Sequence, residues 1–116
     1  MSKRLQPILE KLANGETIVG YKESGNSMVP LIHHREPVTL SPVDVDKLET
    51  GDIVLAKVSG RFYTHKVTAV AEDRVQIGNN KGHINGWTSK HQVYAIISAV
   101  NGVEIKSAQD KIKKSA

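Results

Sequence analysis

One serine in this chain is placed where a hydroxyl can do chemistry. Ser27 lies in Gly25-Asn26-Ser27-Met28-Val29-Pro30, just after a β-like run, Thr17–Lys22. Gly25 admits backbone conformations closed to other residues, and Pro30 fixes its own φ and blocks helix continuation. Such a turn can hold a side chain at the end of a sheet and aim backbone N–H groups at a reacting oxygen. The chemistry would be nucleophilic: a serine hydroxyl attacks an acyl carbon once a base takes its proton. The simplest holders of the resulting oxyanion are the Ser27 N–H and a neighbouring donor, for which Asn26 is the candidate. The same hexapeptide also reads as an ordinary Gly/Asn/Pro turn, so the rest of the chain must decide.

The candidate bases are His65 and Lys66, adjacent on the run Tyr63–Ala71. Side chains alternate along a strand, so only one of the two can face a given target. Tyr63, His65, Val67 and Ala69 share one face; Phe62, Thr64, Lys66, Thr68 and Val70 share the other. The first face is slightly the more apolar, which favours His65 inward and Lys66 toward water. An imidazole can act as a base near neutral pH, whereas an ammonium needs a downward shift of about 3 pH units. His65 therefore leads and Lys66 is the runner-up. Each also reads as an ordinary strand residue.

The elements that must position these groups are mostly strands. Leu5, Ile8, Leu9 and Leu12 recur at helical spacing, with Pro7 in the first turn and Asn14-Gly15 as the stop. After this short helix come strand-like runs at Thr17–Lys22, Pro37–Leu40, Ile53–Val58, Tyr63–Ala71, Arg74–Ile77, Val93–Val100 and Val103–Ile105. Asn101-Gly102 and Ser59-Gly60 are hairpin turns. The expected fold is a small, mostly β domain with a short N-terminal helix. Gly78–Ser89 reads as a long irregular loop, rich in Gly and Asn and holding the single Trp. The domain spans 1–106, followed by a solvated basic tail, 107–116, carrying Lys111, Lys113 and Lys114.

The chain has 116 residues, net charge +4 and no Cys. That suits one domain and excludes disulfides and Cys-ligated metals. No apolar run is long enough for a transmembrane helix, and the first residues lack a secretory signal, so a cytoplasmic location is expected. The basic residues are scattered and aromatics are few, so nucleic-acid binding is not expected. The five His, including His33, His34, His83 and His91, show no His-x-x-x-His or His-Glu-x-x-His spacing. No metal or other cofactor is expected.

Four pieces in order resemble the signal peptidase I / LexA-like superfamily of serine peptidases, over roughly residues 17 to 100. Gly25-Asn26-Ser27-Met28-Val29-Pro30 resembles its nucleophile motif, Gly-x-Ser-Met-x-Pro. Gly51-Asp52-Ile53-Val54-Leu55-Ala56 resembles the following strand. Thr64-His65-Lys66-Val67 resembles the general-base strand, and Gly78-Asn79-Asn80 the Gly-Asp-Asn box. The resemblance implies a LexA/signal-peptidase-like β domain that cleaves a peptide or protein substrate, with Met28 lining the groove. Most of the family has Lys-Arg at the base position. The pair His65-Lys66 is closer to the His-Arg of the endoplasmic-reticulum and archaeal signal peptidases, which makes His65 the base.

Three departures qualify this. The family's box Asp is Asn79 here, and Asn85 aligns with a catalytic-site Asp. An Asn can orient a histidine but cannot stabilise imidazolium with a full charge. No membrane anchor is expected, nor an upstream DNA-binding domain. Neither Ala-Gly nor Cys-Gly, the family's self-cleavage bonds, occurs before Ser27. The expectation is a soluble serine endopeptidase with a Ser27–His65 dyad; the alternative is a catalytically impaired peptide- or protein-binding module on the same fold.

Overall fold

The computed structural model describes residues 2–113, with side chains from Leu5 onward. Helix α1 spans Ser2–Ala13. Its apolar stripe (Leu5, Ile8, Leu9, Leu12) faces the protein, and Leu12 is fully in the core. The helix begins a turn earlier than the apolar spacing suggests, so Pro7 falls inside it, on the exposed side. Gly15 ends it at φ 86°. The Gly15 N–H bonds Leu12 O and the Glu16 N–H bonds Lys11 O, capping the last carbonyls.

The strands are β1 (Ile18–Tyr21), β2 (Val38–Ser41), β3 (Ile53–Val58), β4 (Arg61–Val70), β5 (Arg74–Gly78), β6 (Ile84–Ser89), β7 (Val93–Val100) and β8 (Val103–Glu104). They form one antiparallel sheet in the order β1-β2-β7-β3-β4-β5-β6, with β8 added to β7. The mostly β class read from the sequence is the observed one. Ser59 and Gly60 both take positive φ in the β3–β4 turn, as do Asn101 and Gly102 between β7 and β8.

β3 and β7 are almost continuously apolar because both of their faces are covered. On β3, Ile53 and Leu55 join Leu12, Leu40 and Ile97 on the α1 side. Val54, Ala56 and Val58 join Val67, Val75 and Ile77 on the other. That second core is enclosed because β3 to β6 roll over. The Thr88 hydroxyl on β6 donates to Lys57 O on β3 at 2.7 Å. A Cβ at Gly86 would lie 3.5 Å from Val58, so β6 closely approaches the end of β3 there.

Two sequence expectations are corrected. Gly78–Ser89 is not one irregular loop: its second half is β6, paired with β5 from Ser89↔Arg74 to Ile84↔Gly78. The segment lacks β-branched alternation, and its pairing follows from the Asn79–His83 corner, where the Asn79 N–H donates to His83 O and turns the chain back along β5. The second correction concerns the basic tail, which in its described part is docked. Helix α2 (Lys106–Gln109) buries Ala108, and Val43 bridges Ile112. The Lys111 ammonium is buried, donating to Asp52 Oδ1 at 2.7 Å and pairing with Glu49 Oε1 at 2.8 Å. Burial pulls the Lys111 pKa down, but the bonds to Asp52 and Glu49 outweigh it, so the pKa ends raised. Lys114 to Ala116 lie outside the described residues.

Candidate active site

Ser27 sits on the excursion from Lys22 to Pro37 that joins β1 to β2. The excursion is pinned at its base: the Arg35 N–H donates to Glu23 O (2.8 Å) and the Gly25 N–H to His34 Nδ1 (2.9 Å). Gly25 takes φ 113°, a conformation costly for any residue with a Cβ. Met28, expected to line a groove, is buried in the α1-side core and also contributes to the cleft wall. Asn26 is exposed and stands outside the cleft lining; its carbonyl accepts the Val29 N–H. The Ser27 N–H has no partner among the described residues.

β4 presents His65 and Val67 to the rolled-up core, as alternation requires. His65 is buried, and its ring stacks on Tyr63 with centroids 5.0 Å apart. Its Nε2 lies 3.1 Å from Ser27 Oγ. Its Nδ1 lies 2.6 Å from Asn85 Oδ1 on β6, which the roll brings over β4. An amide oxygen only accepts, so Nδ1 carries the proton and donates it to Asn85. That leaves the Nε2 lone pair to accept the Ser27 hydroxyl proton.

Lys66 points the other way. It is half-buried rather than fully solvated, and its Nζ donates to Asn80 Oδ1 at 3.1 Å. In the sequence Asn80 stands out only by its place in Gly78-Asn79-Asn80, yet it anchors the serine turn. Its backbone N–H donates to Ser27 O and its Nδ2 to Val29 O, both at 2.9 Å. Asn79 shapes the corner between β5 and β6, its Oδ1 accepting the N–H groups of Lys81 (2.8 Å) and His83 (3.0 Å). The box Asn pair therefore builds the turn and clamps the serine loop to it.

A cleft of about 210 Å³ opens beside Ser27 and His65. Among the described residues, no three His, Asp or Glu side chains converge as metal ligands. No described helix is long and apolar enough to cross a membrane. The chain matches no protein-family model and no curated protein sequence.

Proposed function

We propose that the chain is a serine endopeptidase of the signal-peptidase/LexA-like kind. The observation that carries this is the line Ser27 Oγ, His65 Nε2, His65 Nδ1, Asn85 Oδ1, with gaps of 3.1 and 2.6 Å at its two ends. Ser27 Oγ attacks the scissile carbonyl carbon while Nε2 takes its proton. The imidazolium then gives that proton to the leaving nitrogen, and the C–N bond breaks. Nε2 next deprotonates water, which attacks the acyl ester and releases Ser27. Asn85 holds the ring and its tautomer throughout. The unpartnered Ser27 N–H serves the oxyanion.

Two further features support this reading. The Lys66 ammonium is engaged by Asn80 while His65 Nε2 faces Ser27 Oγ, which favours His65 as the base. β5 pairs with β4 only from Lys66 onward, so the Arg61–His65 stretch has strand pairing on its β3 side alone. An extended peptide can add its main chain along that edge.

A serine-directed acylating probe followed by intact mass tests the proposal. The expected result is one adduct on the native chain, none on Ser27→Ala, and labelling of His65→Ala slowed by about 100-fold or more. Equal labelling of all three overturns it. The neutrality of Asn85 favours a second reading, a peptide-binding module that holds its ligand without cleaving it. Peptide binding with no turnover would select that reading.

A further inference from the structure

Resting on the peptidase reading, we propose that the cleft beside Ser27 selects a substrate residue with a cationic side chain, lysine or arginine. The cleft is lined on its apolar part by Met28, Ile32, Val38 and Phe62. Its polar part carries two carboxylates, Glu23 and Glu36, and no Lys or Arg. Both carboxylates are fixed. One Glu36 oxygen accepts the His33 N–H at 3.0 Å, and one Glu23 oxygen accepts the Thr64 hydroxyl. In each case the second oxygen is left over. Neither residue forms an ion pair among the described residues, although the chain carries net charge +4.

A cavity with an apolar wall and an unpaired anionic rim matches an aliphatic stem with a cationic head. The stem covers the apolar wall while the head reaches the carboxylates. A neutral side chain of the same length keeps the first contact but gains nothing from the exposed Glu23, and leaves the half-buried Glu36 partly desolvated without a partner. A glutamate adds repulsion. The expected order is therefore lysine or arginine, then norleucine, then glutamate.

The test uses Ser27→Ala protein labelled for amide NMR, so binding is read without turnover. The ligands are N-acetylated, C-amidated alanine-rich octapeptides, in which one lysine, norleucine or glutamate is walked through every position. An uncapped peptide without lysine supplies a free α-amine as a separate arm. At one position lysine should bind about fivefold tighter than norleucine, the worth of a partly screened ion pair. That gain should move the Phe62 and Thr64 amides, shrink with added salt, and vanish in Glu23→Gln/Glu36→Gln. The single variants, each losing part of the gain, guard against a folding defect in the double one. No lysine gain at any position, a gain that survives both substitutions, or a gain confined to the free-amine arm overturns the proposal. So does the absence of any peptide binding. Cleavage of the same peptides by the native chain is scored separately. Cleavage without lysine preference overturns this inference and leaves the peptidase reading standing. Lysine-selective binding without cleavage does the reverse.

Discussion

Replacing Lys111 by methionine separates a docked C-terminal segment from a solvated one. A solvated lysine contributes almost nothing to stability, whereas this ammonium lies 2.7 Å from Asp52 Oδ1. The two side chains are 7% and 3% exposed. With an effective dielectric of about 20, the attraction at that distance is on the order of 6 kcal/mol, most of which offsets the desolvation of the two groups. Methionine keeps the apolar stem but leaves the Asp52 carboxylate buried, with the Glu49 N–H still donating to its other oxygen. Removing one partner of such a pair costs about 3 kcal/mol. With a urea m-value of about 1.5 kcal/mol/M, the midpoint falls by about 2 M. Asp52→Asn in the same background removes the stranded charge and keeps an acceptor for the Glu49 N–H, so about 1–2 kcal/mol should return. The assay is a set of three urea titrations, of the native chain, Lys111→Met and the double variant, followed by circular dichroism. A midpoint moved by less than about 0.5 M in Lys111→Met, or a further loss in the double variant, refutes the reasoning.

The same ion group responds to pH in opposite directions at its two ends. The hydrogen bond and charge of Lys111 lower the Glu49 pKa, so that contribution is present above the ordinary carboxylate range and is lost as pH falls through the lowered value. The raised Lys111 pKa gives a contribution that is full below the ordinary lysine value and lost as pH rises through the raised one; thermal melts from acid to alkaline pH should show a shoulder at each end. Gly78→Ala puts a Cβ 2.8 Å from the His83 carbonyl oxygen, and the melting curve should report a loss of about 1–3 kcal/mol. Asn80→Ala strips the Val29 carbonyl and the Lys66 ammonium of their partner; a loss of about 1–2 kcal/mol is expected in urea titration, together with slower acylation of Ser27. Asn85→Ala should slow acylation by about tenfold or more, and Asn85→Asp should speed it, because a carboxylate adds charge stabilisation to the imidazolium.

Much of this was legible in the sequence because local rules and tertiary structure agree. The two hairpin turns, the helix stop at Asn14-Gly15 and most strand runs follow from turn chemistry and β-branching. Strand alternation placed His65 inward, and it lies 3.1 Å from Ser27 Oγ. Most of the failures share one cause, which is pairing imposed from a distance. β6 is the exception: it has the composition of a loop, and becomes a strand because the Asn79–His83 corner folds it back on β5 as a local hairpin. Lys111 looks like one more tail lysine, and nothing within its neighbourhood in sequence announces Asp52 and Glu49. Strand alternation sends Lys66 toward water, but Asn80 holds it half-buried. The weight of Asn80 was hidden for the same reason, since its partners Ser27 and Val29 lie far upstream.

Because Asn80 ties the serine bend to the corner at Gly78–His83, those two segments are matched in length like the halves of a hinge. Adding or deleting residues in either one shifts the hydroxyl relative to the imidazole, whatever residues are used. The exposed Glu72-Asp73 turn, at the far end of β4, is tied through Asp73 O to the Lys90 N–H and not to the serine bend. It is the natural port for a purification tag, a fluorophore or a grafted epitope, and the reactive groups keep their spacing when it is used.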